Sequence, residues 1–140
     1  MYEPIRTKSV HSTVDGPNPD FPHRSREEEL DIQLAGHLAA LLAVTDELRP
    51  LAPSADLDTA ADRLTEQVTR LRGGRTPARA SLTAPDSRAN PAPLHQRAHA
   101  LAGRALVVAA SRADTAAAIL AAERMDAHAA ALETRELASR

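Results

Sequence analysis

After Pro93 the chain has no proline and only one glycine, Gly103, through to Arg140. Leu101, Leu106, Val107, Val108, Ile119, Leu120, Met125, Leu132 and Leu137 are set there among alanines. Alanine loses no side-chain entropy on entering a helix and heads the helix-propensity scale. Residues 92–138 therefore read as helix, about 70 Å long if continuous at 1.5 Å per residue. Whatever else the chain forms has to pack against that stretch.

The packing material is restricted. Tyr2 and Phe21 are the only aromatics, and both lie near the N-terminus. A core must be built from Leu, Ala, Val and Ile, which suits close helix packing and suits sheets poorly. With 140 residues, one domain is expected. The formal net charge of −2 gives no whole-chain attraction to nucleic acid or acidic membranes. The absence of cysteine excludes disulfides and thiolate metal sites. The N-terminal residues contain no apolar signal core, and the apolar runs Leu38–Val44 and Ala116–Ala122 are too short to span a bilayer. The expectation is a cytoplasmic protein with no membrane partner and no cofactor.

Residues 1–24, with Pro4, Gly16, Pro17, Pro19 and Pro22, show no period and read as an irregular or disordered tail, with Phe21 as a candidate anchor. The bundle domain is expected over 25–140. Ser25 and Glu28 fit a capping box that opens a first helix over about 25–49. Its apolar positions, Leu30, Leu34, His37, Leu41, Val44 and Leu48, follow a 4-3-4-3-4 seam, coiled-coil-like but widened by Leu38, Leu42 and Thr45. Pro50 is expected to end it. Ser54 or Asp56 can cap a second helix over about 56–72, seamed by Leu57, Ala61, Leu64, Val68 and Leu71 and closed by Gly73 and Gly74. The short connection makes these two helices an antiparallel hairpin. Residues 73–90 read as a flexible linker, and Asn90-Pro91 as the start of the third helix.

On a helical wheel the long stretch has two apolar faces. Leu94, Ala98, Leu101, Ala105 and Val108 mark one; His95, His99, Ala102, Leu106 and Ala109 mark the other. A helix apolar on two sides is central in its bundle or shared with a second chain. Beyond about residue 120 the stripe is read as Ala118, Ala122, Met125, Ala129 and Leu132. Ser111–Asp114 is the one candidate break, but it offers neither Gly nor Pro nor room for an ordinary loop, so one long helix, straight or bent, is favoured over two; the alternative is a fold-back at 111–114 that makes a four-helix bundle. On that reading Leu106, Ala109, Ala113, Ala117 and Leu120 form a self-association face, and the expected partner is a second copy or another helical protein. Arg112, Asp126 and Glu133 fall on or near the apolar face, so the face should turn to solvent beyond about residue 120.

The block RAHALAGRALVVAASRADTAAAILAAERMDAH, Arg97–His128, resembles segments of small helical proteins from Streptomyces-type actinobacteria. The resemblance covers about a quarter of the chain. It implies an all-helical fold in a bacterial cytoplasm and brings no activity with it.

Candidate chemistry is sparse. His95 and His99, spaced i, i+4, share a helix face and with His37 could form a metal or small-ligand site. Residue 96 is Gln, so there is no H-E-x-x-H, and no E-x-x-H of a di-iron bundle occurs. His37 alone is better explained as a register-setting residue in a leucine seam. Arg70, Arg72, Arg75 and Arg79 could grip phosphates, but no aromatic is interleaved for base stacking, so a solvated linker is the better reading. There is no G-x-S-x-G and no phosphate loop. The function expected from the sequence is that of a non-enzymatic interaction or scaffold bundle that self-associates. The alternative is a ligand-binding bundle built on His37, His95 and His99.

Overall fold

A computed structural model describes residues 24–79 and 89–138. The proposed tail, its Phe21 anchor and most of the second half of the proposed linker lie outside these residues. Four helices follow in order: α1 (Arg26–Leu51), α2 (Ala55–Leu71), α3 (Ala92–Arg112) and α4 (Thr115–Ala138). No strand occurs among the described residues. No helix there is long and apolar enough to cross a membrane. α1 packs against both α2 and α3, α3 packs extensively on α4, and α2 barely touches α4.

The expected caps of α1 and α2 form. Ser25 Oγ accepts from the Glu28 N–H while Glu28 Oε1 accepts from the Ser25 N–H, closing the capping box. Ser54, not Asp56, caps α2, its Oγ accepting from the Leu57 N–H at 3.0 Å. At α3 the cap position falls on Pro91, one residue later than expected and without a side-chain cap bond, while Asn90, just before it, accepts from the Ala92 N–H through Oδ1. Pro50 does not stop α1 at residue 49 but sits in its last turn, and the helix ends at Leu51. Gly73 and Gly74 close α2 with φ of 67° and 96°, a conformation glycine adopts without steric cost.

The preference for one long helix is corrected. Ala113 takes left-handed dihedrals (φ 57°, ψ 36°) and ends α3. Its N–H donates to Ala110 O, and the Asp114 N–H donates to Ala109 O, which together form a Schellman closure. Asp114 then caps α4, its Oδ1 accepting from the Ala117 N–H at 3.2 Å. One closure followed directly by one cap reverses the chain in two residues, so no conventional loop is needed. α4 folds back along α3 and the chain closes as a four-helix bundle.

This return changes which faces are buried. α3 packs on both α1 and α4, with Leu101, Ala105, Ala102 and Ala109 in one shared core and His95 against His128 of α4, so α3 is the central helix by using both faces within one chain. The core is unequal in size. α1 contributes Leu34, Leu38, Leu41, Leu42, Val44 and Leu48, whereas α3 and α4 contribute mainly alanines, among them Ala102, Ala109, Ala117 and Ala121. Small side chains between α3 and α4 let the two backbones approach, which is where the alanine content is spent. The stripe assigned to α4 also shifts by one position. Ala117, Ala121, Arg124 and His128 are buried, while Ala118, Ala122, Met125 and Leu132 are half-buried and Ala129 is exposed.

Candidate functional site

The buried stripe of α4 places Arg124 and His128 inside the bundle, one helical turn apart. His128 meets His95 of α3, the two Nδ1 atoms 2.9 Å apart and the rings 5.2 Å between centroids. Arg124 Nη2 lies 3.4 Å from His128 Nε2. Arg124 Nη1 donates to Asp56 Oδ2 at the start of α2, at 3.0 Å.

The donor inventory fixes the direction of this line. An arginine can only donate, so His128 Nε2 is an acceptor and its proton sits on Nδ1. That proton is given to His95 Nδ1, which leaves the His95 proton on Nε2. Both rings are neutral. Burial, then Arg124 and His95, push His128 down from 6.5 to about 3, with Asp56 opposing only in part. Burial, then Arg135 and Arg124, also lower His95. The charge of the cluster therefore rests on Arg124, whose Nε is buried and has no acceptor among the described residues.

The expected ligand set is not assembled. His95 turns to His128, while His37 and His99 stay half-buried on their own helices. Among the described residues no group of three or more His, Asp or Glu side chains could hold a metal ion. The signal for the actual pair was a 4-3-4 spacing through Ala117, Ala121, Arg124 and His128, hidden because an arginine does not read as a seam residue.

The arginines proposed for nucleic acid divide in two. Arg79 reaches back to α1, its Nε 2.7 Å from Asp46 Oδ2 and its Nη2 2.8 Å from Asp46 Oδ1. Arg70 pairs with Asp114 at 2.8 Å. Both are committed to carboxylates within the chain. Arg75 donates to the Arg72 carbonyl, and neither Arg72 nor Arg75 has a carboxylate partner among the described residues. Residues 75–79 are held against the bundle by Arg79, with Pro77 buried, so the first part of the proposed flexible linker is tied down.

The proposed self-association face is corrected as well. Ala109, Ala117 and Leu120 lie in the core, Leu106 is half-buried, and Ala113 is the exposed turn residue. The break turns that face inward onto the chain's own α4. Arg112 pairs with Asp31 at 3.1 Å, whereas Asp126 and Glu133 are exposed, as their charges require. What the hairpin leaves outside is its other face. Val107 is 67% exposed and Ile119 55%.

No family model, curated protein or solved structure matches this chain.

Proposed function

We propose that the protein is a non-enzymatic helical-bundle interaction protein that self-associates through the outer face of the α3–α4 hairpin. The observation that carries this reading is the placement of Val107 and Ile119. Each lies six residues from Ala113, hence at the same height along the hairpin, roughly 9 Å from the turn at 1.5 Å per residue. Each is two residues from buried alanines on either side, Ala105 and Ala109 or Ala117 and Ala121, and so points about 200° away from them on the wheel. Two large apolar side chains thus flank a surface that also carries the exposed Ala110 and Ala116.

Charge supports a second copy as the occupant. α3 contains no acidic residue and exposes Arg97 and Arg104, while α4 exposes Asp126 and Glu133. A two-fold axis along the hairpin lays α3 of one copy against α4 of the other, with basic against acidic edges. The resemblance of Arg97–His128 to actinobacterial proteins supports a bacterial cytoplasmic setting. Sedimentation equilibrium at micromolar concentration tests the reading. A dimer that Val107→Glu and Ile119→Glu each convert to monomer is expected, and a wild-type monomer across that range overturns it.

A further inference from the structure

Where α2 and α4 fail to close on each other, a cleft of about 280 Å³ remains. Its α2 wall is Asp56, Thr59 and Arg63, and its α4 wall is Glu123 and Arg124 over the apolar floor of Ala60 and Leu120. Three observations point to a ligand of particular chemistry.

The first is the half-used fork of Arg124. The same chain shows what a carboxylate does with a whole guanidinium edge, since Asp46 covers both Nε and Nη2 of Arg79. Arg124 is more deeply enclosed, its side chain only 5% exposed, yet it holds one oxygen of Asp56 through Nη1 and leaves Nε with no acceptor among the described residues. A buried charged donor without an acceptor is costly and calls for an explanation. Its one carboxylate partner, Asp56, is 65% exposed, a weak anchor for a buried cation.

The second is the charge of the lining. Two arginines face two carboxylates, and each is paired, Arg124 with Asp56 and Arg63 with Glu123 at 3.4 Å. A simple anion placed on Arg124 would displace Asp56 and then be repelled by it. A ligand bearing both charges avoids this, because its carboxylate takes the arginine while its own cation takes the released Asp56.

The third is a spare hydroxyl. Thr65 and Thr69 of α2 donate to carbonyls of the preceding turn, and Thr59 has no such bond among the described residues. It stands at the cleft with a free donor and acceptor.

We propose that the α2–α4 cleft binds a small zwitterion of the amino-acid class, its carboxylate seated on Arg124 and its ammonium on Asp56. Binding exchanges the Arg124–Asp56 pair for two ligand pairs and leaves the net charge of the cleft unchanged. The Nε–Nη2 edge, which Asp46 covers on Arg79, is turned inward on Arg124, with Nη2 3.4 Å from His128 Nε2, so the guanidinium exchanges that long contact for the ligand carboxylate as it turns.

The test is a ¹H–¹⁵N NMR titration of the full chain, following the Arg124 Nε–H and the Thr59 and Leu120 amides. The probes are the common free L-amino acids, with acetate and methylamine as single-charge controls. At least one amino acid should bind about tenfold or more tightly than either control. Asp56→Asn, a change at an exposed first-turn position, should reverse the order by weakening that amino acid and strengthening acetate. Saturation by none of the amino acids overturns the proposal. So does acetate binding the wild type as tightly as the best amino acid, or an Asp56→Asn variant with unchanged preference.

Discussion

Arg79 grips Asp46 through two hydrogen bonds, 2.7 and 2.8 Å, across 33 residues of chain. Asp46 is almost fully buried on α1 and is also reached by Arg49 at 3.3 Å. Burial pushes its carboxyl pKa up, but hydrogen bonds and charge from Arg79 and then Arg49 outweigh this and hold it below the usual 3.8. Removing one partner leaves a buried carboxylate short of donors, which costs more than losing a surface pair. Because Arg79 is partly exposed and Arg49 remains, Arg79→Ala should cost about 2 kcal/mol, less than a fully buried pair. Urea denaturation of Arg79→Ala, Asp46→Ala and the double variant checks it. A coupling energy near zero would mean the strap contributes nothing.

The His95–His128 pair should lower stability in acid. In the unfolded chain His128 takes its proton near 6.5, but folded it does so only near 3. The unfolded state therefore binds more protons between those values, so stability falls as pH drops from about 6.5, by up to about 1.4 kcal/mol per pH unit for this residue. His95 is lowered too and adds in the same direction. The Asp46 contribution has another window, since a lowered carboxyl pKa loses its stabilisation only as pH falls below about 3.8. Unfolding free energies measured between about pH 7 and pH 4 should decline while the carboxylates are still charged. The His128 C–H resonances should keep their neutral positions well below pH 6.5, and those of His95 should titrate below the ordinary histidine range. Titration of His128 in the ordinary histidine range would overturn the neutral assignment.

The two amino-terminal helices were legible because their apolar residues are leucines at regular heptad spacing between strong caps. The carboxy-terminal half was less so, for a physical reason. Where most positions are alanine, almost any stripe looks apolar, and a shift of one residue in reading α4 hid Arg124 and His128. The break at Ala113 was misjudged because it uses backbone hydrogen bonds and one aspartate instead of Gly or Pro. Asp46 and Arg79 were invisible for another reason. A buried ion pair between residues far apart in sequence leaves no periodic trace in either segment.

The turn at Ala113 carries a cost that one substitution removes. A residue with a Cβ pays roughly 1 kcal/mol or more in the left-handed conformation that glycine adopts freely. Ala113 is exposed, so its methyl group contributes little packing in return. Ala113→Gly should raise the thermal midpoint and add about 1 kcal/mol, in spite of glycine's greater freedom in the unfolded chain. Ala113→Val, a β-branched residue, should lower stability by more than this. If Ala113→Gly is destabilising, the chain does not turn at this residue, and the continuous helix returns as the better description.

Two other glycines test the helices themselves. Gly36 lies exposed within α1, and a Cβ built there meets nothing within 4 Å. Gly103 lies within α3, where a Cβ would meet Met125 Cε at 3.6 Å, an ordinary contact with the tip of a flexible side chain. Both have negative φ, so alanine fits the backbone. Gly36→Ala should gain about 1 kcal/mol from helix propensity alone. Gly103→Ala should gain a comparable amount with a small packing increment against Met125, because the new methyl group lands at contact distance on the α3–α4 seam. The comparison is informative only if α3 and α4 are as close as described. A Gly103→Ala variant that is destabilised by more than about 1 kcal/mol would place the helices closer together than this seam allows, and one indistinguishable from Gly36→Ala would leave Met125 with no part in it.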